Sequence, residues 1–248
     1  MKVSGIQAAV VILHYGNPDM TRRLYDQLHR SDPGAAIPIF VLDNAAPEPY
    51  PQAWRRLEEN VYWAGALAYA ARTVREIGCT HLWFLNNDIT FVSRPPYLAR
   101  TFGRLARLDA TLGQVGLYSP AFSKSPYHPQ MVVRPGGQYR QVRVMDGVAP
   151  LIDLACLEKI GGVDFGDNPF GYGVDILLSS QIEAAGWKLV VDHQVVVNHR
   201  HHTTARAVPG FLEMAAKAEA GYLQKRLGPD YLECIARWKL QNRESDSL

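Results

Sequence analysis

Three continuous apolar runs, each closed by a polar cluster, limit the folds open to this chain. Residues 8–13, 37–42 and 81–85 end in His14-Tyr15, Asp43-Asn44 and Asn86-Asn87-Asp88. Uninterrupted apolar runs of this length mark strands buried on both faces of a parallel sheet. Between them lie helix signals. Pro18-Asp19 opens a helix with Leu24 and Leu28 on one face, and residues 64–77 form a small-residue helix closed by Gly78. The resulting β-α-β-α-β order predicts a parallel sheet with crossover helices. Strand ends in such a sheet share one edge, where ligands bind.

The chemistry of the third strand end is the most specific. One carboxylate, Asp88, and two amides, Asn86 and Asn87, can hold a divalent cation together with the oxygens of a phosphorylated ligand; a polar turn has the same composition. Asp43 at the second strand end can accept hydrogen bonds from a ribose or base edge, or simply close a turn. Further along, Phe170-Gly171-Tyr172-Gly173-Val174-Asp175 delivers a carboxylate to a helix start. There it can cap the helix, or deprotonate a hydroxyl nucleophile from the edge of a cleft. Residues 195–197 then lead to His199, followed by His201 and His202, with His199 the best placed toward a site.

The remaining segments predict a helix over about 97–108, a strand over 115–118, a hairpin or irregular excursion over 119–145, and a strand over 148–153. A short helix over 154–160, a helix over 174–185 and two short strands, 188–191 and 195–197, come next. From residue 208 the pattern is helical, with a break at Gly228-Pro229.

The 248 residues are 47% apolar and 20% charged, enough for a sizeable core. A net charge of +2 gives no support for a nucleic-acid partner. Cys79, Cys156 and Cys234 have neither zinc spacing nor an even count, and are read as reduced thiols of a cytoplasmic protein. No apolar run approaches the roughly 20 residues of a membrane span, and the N-terminal apolar run is read as the first strand rather than a signal peptide. Leu232, Ile235, Ala236 and Trp238, with Arg237, Lys239 and Arg243, make a helix that packs on the domain or lies on a membrane surface.

In order and spacing, the segments from about Val10 to His199 resemble the inverting nucleotide-sugar glycosyltransferases of family 2, rhamnosyltransferase-like members included. The resemblance implies an α/β fold of GT-A type: a mostly parallel central sheet flanked by helices, with a C-terminal helical appendage. It divides the chain into a glycosyltransferase domain, 1–205, and a helical extension, 206–248, packed on it. The nucleotide half is about 1–90 and the acceptor half about 91–205.

By the same resemblance, His14, Tyr15 and Asn17 lie in the first strand and nucleotide loop, and Asp43 and Asn44 at the strand end facing the nucleobase. Gly65 lies under the nucleotide, and Asn86, Asn87 and Asp88 at the metal motif. Asp146, Gly147 and Tyr172 fall on the acceptor side, Asp175 at the general base, and His199 at the late histidine that joins Asp88 on Mn²⁺ or Mg²⁺. The implied partners are a nucleoside-diphosphate sugar and a saccharide, glycolipid or polysaccharide-precursor hydroxyl. Asn86 stands where the first acid of the metal motif is usual, Val174 where the Glu of a Glu-Asp pair is usual, and Leu177 where a further Asp is common. A catalytically silent binding or scaffold protein is one alternative. A nucleotidyltransferase is another, disfavoured by the glycine-poor His14-Tyr15-Gly16-Asn17 loop.

Overall fold

The computed structural model describes residues 6–200 and 209–248. The chain begins with β1 (Ala8–His14), every residue of which is buried, followed by α1 (Pro18–Ser31). Asn17 caps α1, its side chain accepting from the Asp19 N–H at 2.8 Å. Then come β2 (Ile39–Asp43), the short β3 (Arg55–Arg56), α2 (Tyr62–Glu76) and β4 (His81–Asn86). Strands β3, β2, β1 and β4 lie side by side and parallel, so His14, Asp43 and Asn86 end on one edge.

Beyond β4 the sheet becomes mixed. After β5 (Ile89–Phe91) and α3 (Tyr97–Leu112) run β6 (Val115–Phe122), a 3₁₀ turn (Pro129–Met131), β7 (Tyr139–Gln141) and β8 (Leu151–Asp153). Two helices follow, α4 (Leu154–Lys159) and α5 (Val174–Ala184), and then β9 (Lys188–His199). The chain closes with α6 (Phe211–Leu227), α7 (Tyr231–Leu240) and β10 (Arg243–Ser245). The sheet order is β10-β7-β9-β6-β8-β4-β1-β2-β3, with β5 added to β9.

Three expectations from the sequence are corrected. Segments 188–191 and 195–197 are one strand, β9, because Asp192 and His193 are buried within it and the register against β6 shifts there instead of breaking. Of the two readings of 119–145, the irregular excursion holds and the hairpin does not: β6 extends to Phe122, and β7 pairs with β9 and β10. Nor is the C-terminal segment helical throughout, since β10 forms the outermost strand beside β7. Glu244 holds it there, accepting from Arg134 Nε (3.2 Å) and Arg140 Nε (2.5 Å), and pairing with His193 Nε2 at 3.1 Å.

The core fills both faces of the sheet, with Trp83, Phe84, Tyr118 and Phe122 among its largest buried side chains. A second apolar cluster joins α5 to the C-terminal helices: Val174, Ile176 and Leu177 pack with Tyr222, Leu223 and Ile235. Val174 and Leu177, where the resemblance implied acids, are the apolar seat of α6 and α7. Among the described residues no helix is long and apolar enough to cross a membrane.

Candidate active site

Hydrogen bonding between β5 and β9 sets the centre of the site. Ile89 pairs with His199, and Arg200 N–H donates to the Asp88 carbonyl at 3.1 Å. The side chains are thereby brought together, with His199 Nε2 lying 3.2 Å from Asp88 Oδ2. Both are largely buried, 10% and 15% exposed. Burial disfavours the charged imidazole, but the hydrogen bond and charge of Asp88 outweigh it, so His199 titrates above its ordinary value. Asp88 Oδ1 is buried with no hydrogen-bond partner, and so is Oδ1 of Asn86, the last residue of β4. A carboxylate with one oxygen beside an imidazole and the other without a donor fits a divalent cation of the Mn²⁺ or Mg²⁺ type.

A second group of acids comes from the chain beyond β5. Asp175 lies in the first turn of α5, where its own residues and the run before β8 fix it. Oδ2 accepts from Gly147 N–H at 3.0 Å and Oδ1 from Ile176 N–H at 2.9 Å. Ser179 completes the clamp: its hydroxyl donates to the Asp175 carbonyl (2.7 Å) and accepts from Met145 N–H (3.0 Å). Gly147 cannot carry a side chain, because a Cβ there would stand 2.6 Å from Trp63 Cζ2. Asp146 points into the same space, 3.9 Å from His128 Nε2, and ligand atoms of His128, Asp146 and Asp175 all lie within 4.8 Å of one another.

These acids resist ionisation. Burial, then the neighbouring Asp175, raises Asp146 to about 7. Burial raises Asp175 to about 6 against the pull of the Gly147 and Ile176 N–H groups. Glu219 of α6 is raised to about 7 by burial and by Asp175, with Lys239 of α7 opposing. Burial, then Glu219 and Asp88, raises Tyr172.

The residues expected from the sequence to meet a nucleotide divide differently. Asp43 is fully buried and both oxygens are taken, by Ala46 N–H (2.9 Å), Tyr50 N–H (2.9 Å) and Arg56 Nη1 (2.7 Å). His14 is likewise buried, its ring bridging Thr21 Oγ1 (2.7 Å) and the Glu48 carbonyl (2.8 Å). Asn44 binds Asn60 Oδ1 (2.8 Å) and Val61 N–H (3.0 Å), fixing the entrance to α2, in whose first turns Gly65 lies. Asn87 donates to Thr21 Oγ1 at 2.9 Å. The structure thus commits His14, Asp43, Asn44 and Asn87 to their own loops and leaves Tyr15 half-buried at the edge. It gathers Asp88, His199, Asp146, Gly147, Asp175 and Tyr172 into one place. His201 and His202 lie outside the described residues.

No protein-family model matches this chain. Over 154 residues it is 29% identical to an uncharacterized protein of Mycobacterium bovis and to two from strains of Mycobacterium tuberculosis, covering 59% of this chain and 57% of each relative. It therefore spans a little over half the length of these curated relatives. Among solved structures it resembles GalNAc-T7 with UDP, GalNAc and Mn²⁺ (TM-score 0.59, 12% identity, 80% of this chain and 44% of that one). It also resembles the mannosyltransferase PcManGT from Pyrobaculum calidifontis in complex with GDP-Man and Mn²⁺ (0.58, 14%, 94% and 75%). A third neighbour is A197 from STIV (0.53, 14%, 79% and 86%). The fold is GT-A.

Within this GT-A fold, four further residues join the site; of these, His128 belongs to the 119–145 excursion, whose Tyr118, Tyr127, His128, Arg134 and Tyr139 read in sequence as an acceptor-side loop or a surface hairpin. Glu219 and Lys239 arrive from the C-terminal helices, and His128 from the loop before the 3₁₀ turn. Trp63 packs its ring on Gly147, with a buried Nε1–H that has no partner. Trp63 was the most legible, being a large ring at a helix start two residues before Gly65.

Proposed function

We propose that this chain is a metal-dependent inverting glycosyltransferase that uses a nucleoside-diphosphate sugar. The observation that carries the reading is the Asp88–His199 pair at the end of β4, with an unpartnered Asp88 oxygen, facing the raised carboxylates Asp146 and Asp175. Asp88 and His199 would hold Mn²⁺ or Mg²⁺ at the donor site. When bound, the ion neutralises the charge that grows on the leaving diphosphate. The cluster of His128, Asp146 and Asp175 is assigned to the acceptor side, with Asp175 held in place by the N–H groups of Gly147 and Ile176.

Asp175 acts as the general base. The acceptor oxygen attacks the anomeric carbon and its proton passes to Asp175. The new C–O bond forms as the bond to the diphosphate breaks, the electron pair leaving with the diphosphate. A carboxylate raised to about 6 is mostly ionised at pH 7.5, yet more basic than a free aspartate, which suits it to this task. Tyr15 and Asn86 face the donor, while Asp43 and His14 act indirectly by holding the loops of the nucleotide edge.

The test is calorimetric titration with UDP, GDP, dTDP and CDP, each with Mn²⁺ and with EDTA, on the wild type and on Asp88→Ala. One nucleotide binds to the wild type with Mn²⁺ only, and Asp88→Ala loses that binding. Equal nucleotide affinity in the two proteins, with or without EDTA, would overturn the reading.

A further inference from the structure

A carboxylate crowded by other acids is hard to keep ionised, and Asp175 has Asp146 and Glu219 for neighbours. A general base in such company needs a cation close by that does not occupy its oxygens. Helix α7 supplies one. Its Ile235 packs with Val174 and Ile176, the residues on either side of Asp175. Lys239 lies four residues further along α7, and so on the same face as Ile235. A second contact fixes its head group, since Lys239 Nζ donates to the Tyr127 carbonyl at 3.0 Å. Tyr127 precedes His128, whose Nε2 lies 3.9 Å from Asp146, and ligand atoms of His128, Asp146 and Asp175 are within 4.8 Å of one another. Helix α7 and the loop before the 3₁₀ turn thus place one ammonium beside the acids.

The way Lys239 is bound matters as much as its place. Among the described residues its one hydrogen bond is to that neutral carbonyl, and it forms no ion pair with a carboxylate. Its charge nonetheless opposes the rise of Asp146, Asp175 and Glu219 alike. Asp175 itself is held by backbone, through the N–H groups of Gly147 and Ile176. A direct salt bridge would quench the basicity of Asp175. A fixed charge at a short distance favours the ionised form and leaves the oxygens open to a proton. The last turn of a helix, where Lys239 lies, stabilises positive charge.

We propose that Lys239 is a positioning residue of the transfer site: tied to the Tyr127 carbonyl, its ammonium keeps Asp175 a carboxylate beside its acidic neighbours without pairing with it. The proposal rests on the transferase reading and makes the C-terminal helices part of the reacting centre. The groups facing Asp175 are Asp146 from the run before β8, His128 from its loop, and Glu219 and Tyr222 from α6. Tyr172 precedes α5, and Asp88 and His199 lie across the site. Lys239 is the only ammonium in the set.

Carbon-13 NMR of the aspartate carboxyl carbons, with Asp175→Asn to assign the signal, follows the ionisation of Asp175 in the full chain in EDTA. The wild type titrates at about 6. In Lys239→Met the midpoint rises by about one unit, and in Lys239→Arg it stays at the wild-type value. Lys239→Gln keeps an N–H donor for the Tyr127 carbonyl but not the charge. Its midpoint rises too, and it decides the matter if Lys239→Met fails to fold. Transfer by Lys239→Met is about fivefold slower than wild type at pH 6, and the deficit shrinks as pH rises to 8.5. The donor KM and Mn²⁺-dependent nucleotide binding stay unchanged. An unmoved midpoint in the Met and Gln variants, or a rate loss equal at every pH, overturns the proposal. A midpoint that rises in a protein with no transfer from any nucleotide sugar supports the placement of the charge and overturns the transferase reading instead.

Discussion

Two polar clusters in this fold are built on opposite plans. In the first, Asp192 of β9 is fully buried, and every oxygen of its carboxylate has a donor. Arg104 Nε (2.5 Å) and Tyr118 Oη (2.7 Å) reach Oδ2, and Gln194 N–H (2.8 Å) reaches Oδ1. Arg104 in turn spends its other nitrogens on Gln138, at 3.2 and 2.9 Å. In the second, Asp88, Asp146, Asp175 and Glu219 crowd together, with an unpartnered oxygen on Asp88 and ionisation held back at the other three. A satisfied buried cluster rigidifies the chain; an unsatisfied one costs stability, and a ligand can recover it. The contrast separates scaffold from site without reference to any motif.

The largest effect that can break this comparison is at Asp175. If the second cluster is the reacting centre, Asp175→Asn lowers sugar transfer about 10²–10⁴-fold while leaving Mn²⁺-dependent nucleotide titration as it was. Transfer rates equal to wild type would move the base elsewhere in the cluster. On the same reading, transfer should lose rate as pH falls through about 6, because the base must be ionised to take the proton. A flat profile from pH 8 to pH 5 would also count against the assignment.

Next in size is the scaffold cluster. Arg104→Met removes the counter-charge of a fully buried carboxylate and should destabilise the fold by about 3–5 kcal/mol. Urea unfolding reads the difference directly. A loss under about 1 kcal/mol would show that the satisfied cluster is not the anchor its geometry describes.

How much of this was legible follows from the same contrast. Strands β1 and β4 could be read from residues 8–13 and 81–85 because burial on both faces leaves an uninterrupted apolar run. Strand β9 could not be read whole, because Asp192-His193-Gln194 looks like a break. Those polar residues are accommodated by partners as far away as Arg104 and Tyr118, which no local pattern reveals. The ends of β2 and β4 were equally visible as strand–acid junctions. Only the three-dimensional donors distinguish them: Asp43 closes its own loop and Asp88 keeps an oxygen without a partner. Val174 and Leu177 read as lost acids in sequence and prove to be the floor under α6 and α7. Glu219 had no signal at all, since it reaches the cleft only because that floor is apolar.

The smallest effect gives the comparison its sign. Asp146 is raised from 3.8 to about 7 in the folded chain, so folding binds its proton more tightly than the unfolded state does. Its contribution to stability is complete below the unfolded value and is lost as pH rises through about 7. Asp146→Asn stays neutral at every pH. Measured in EDTA, it should therefore be more stable than wild type at pH 8, by roughly 1–3 kcal/mol, and equal to it near pH 4. Asp192→Asn should do the reverse at pH 8, because it strips Arg104 of its partner and leaves a buried cation behind. Two identical Asp→Asn changes in the same fold would then shift stability in opposite directions. If both destabilise at pH 8, the second cluster is as satisfied as the first, and its claim to be a site built to receive a ligand fails.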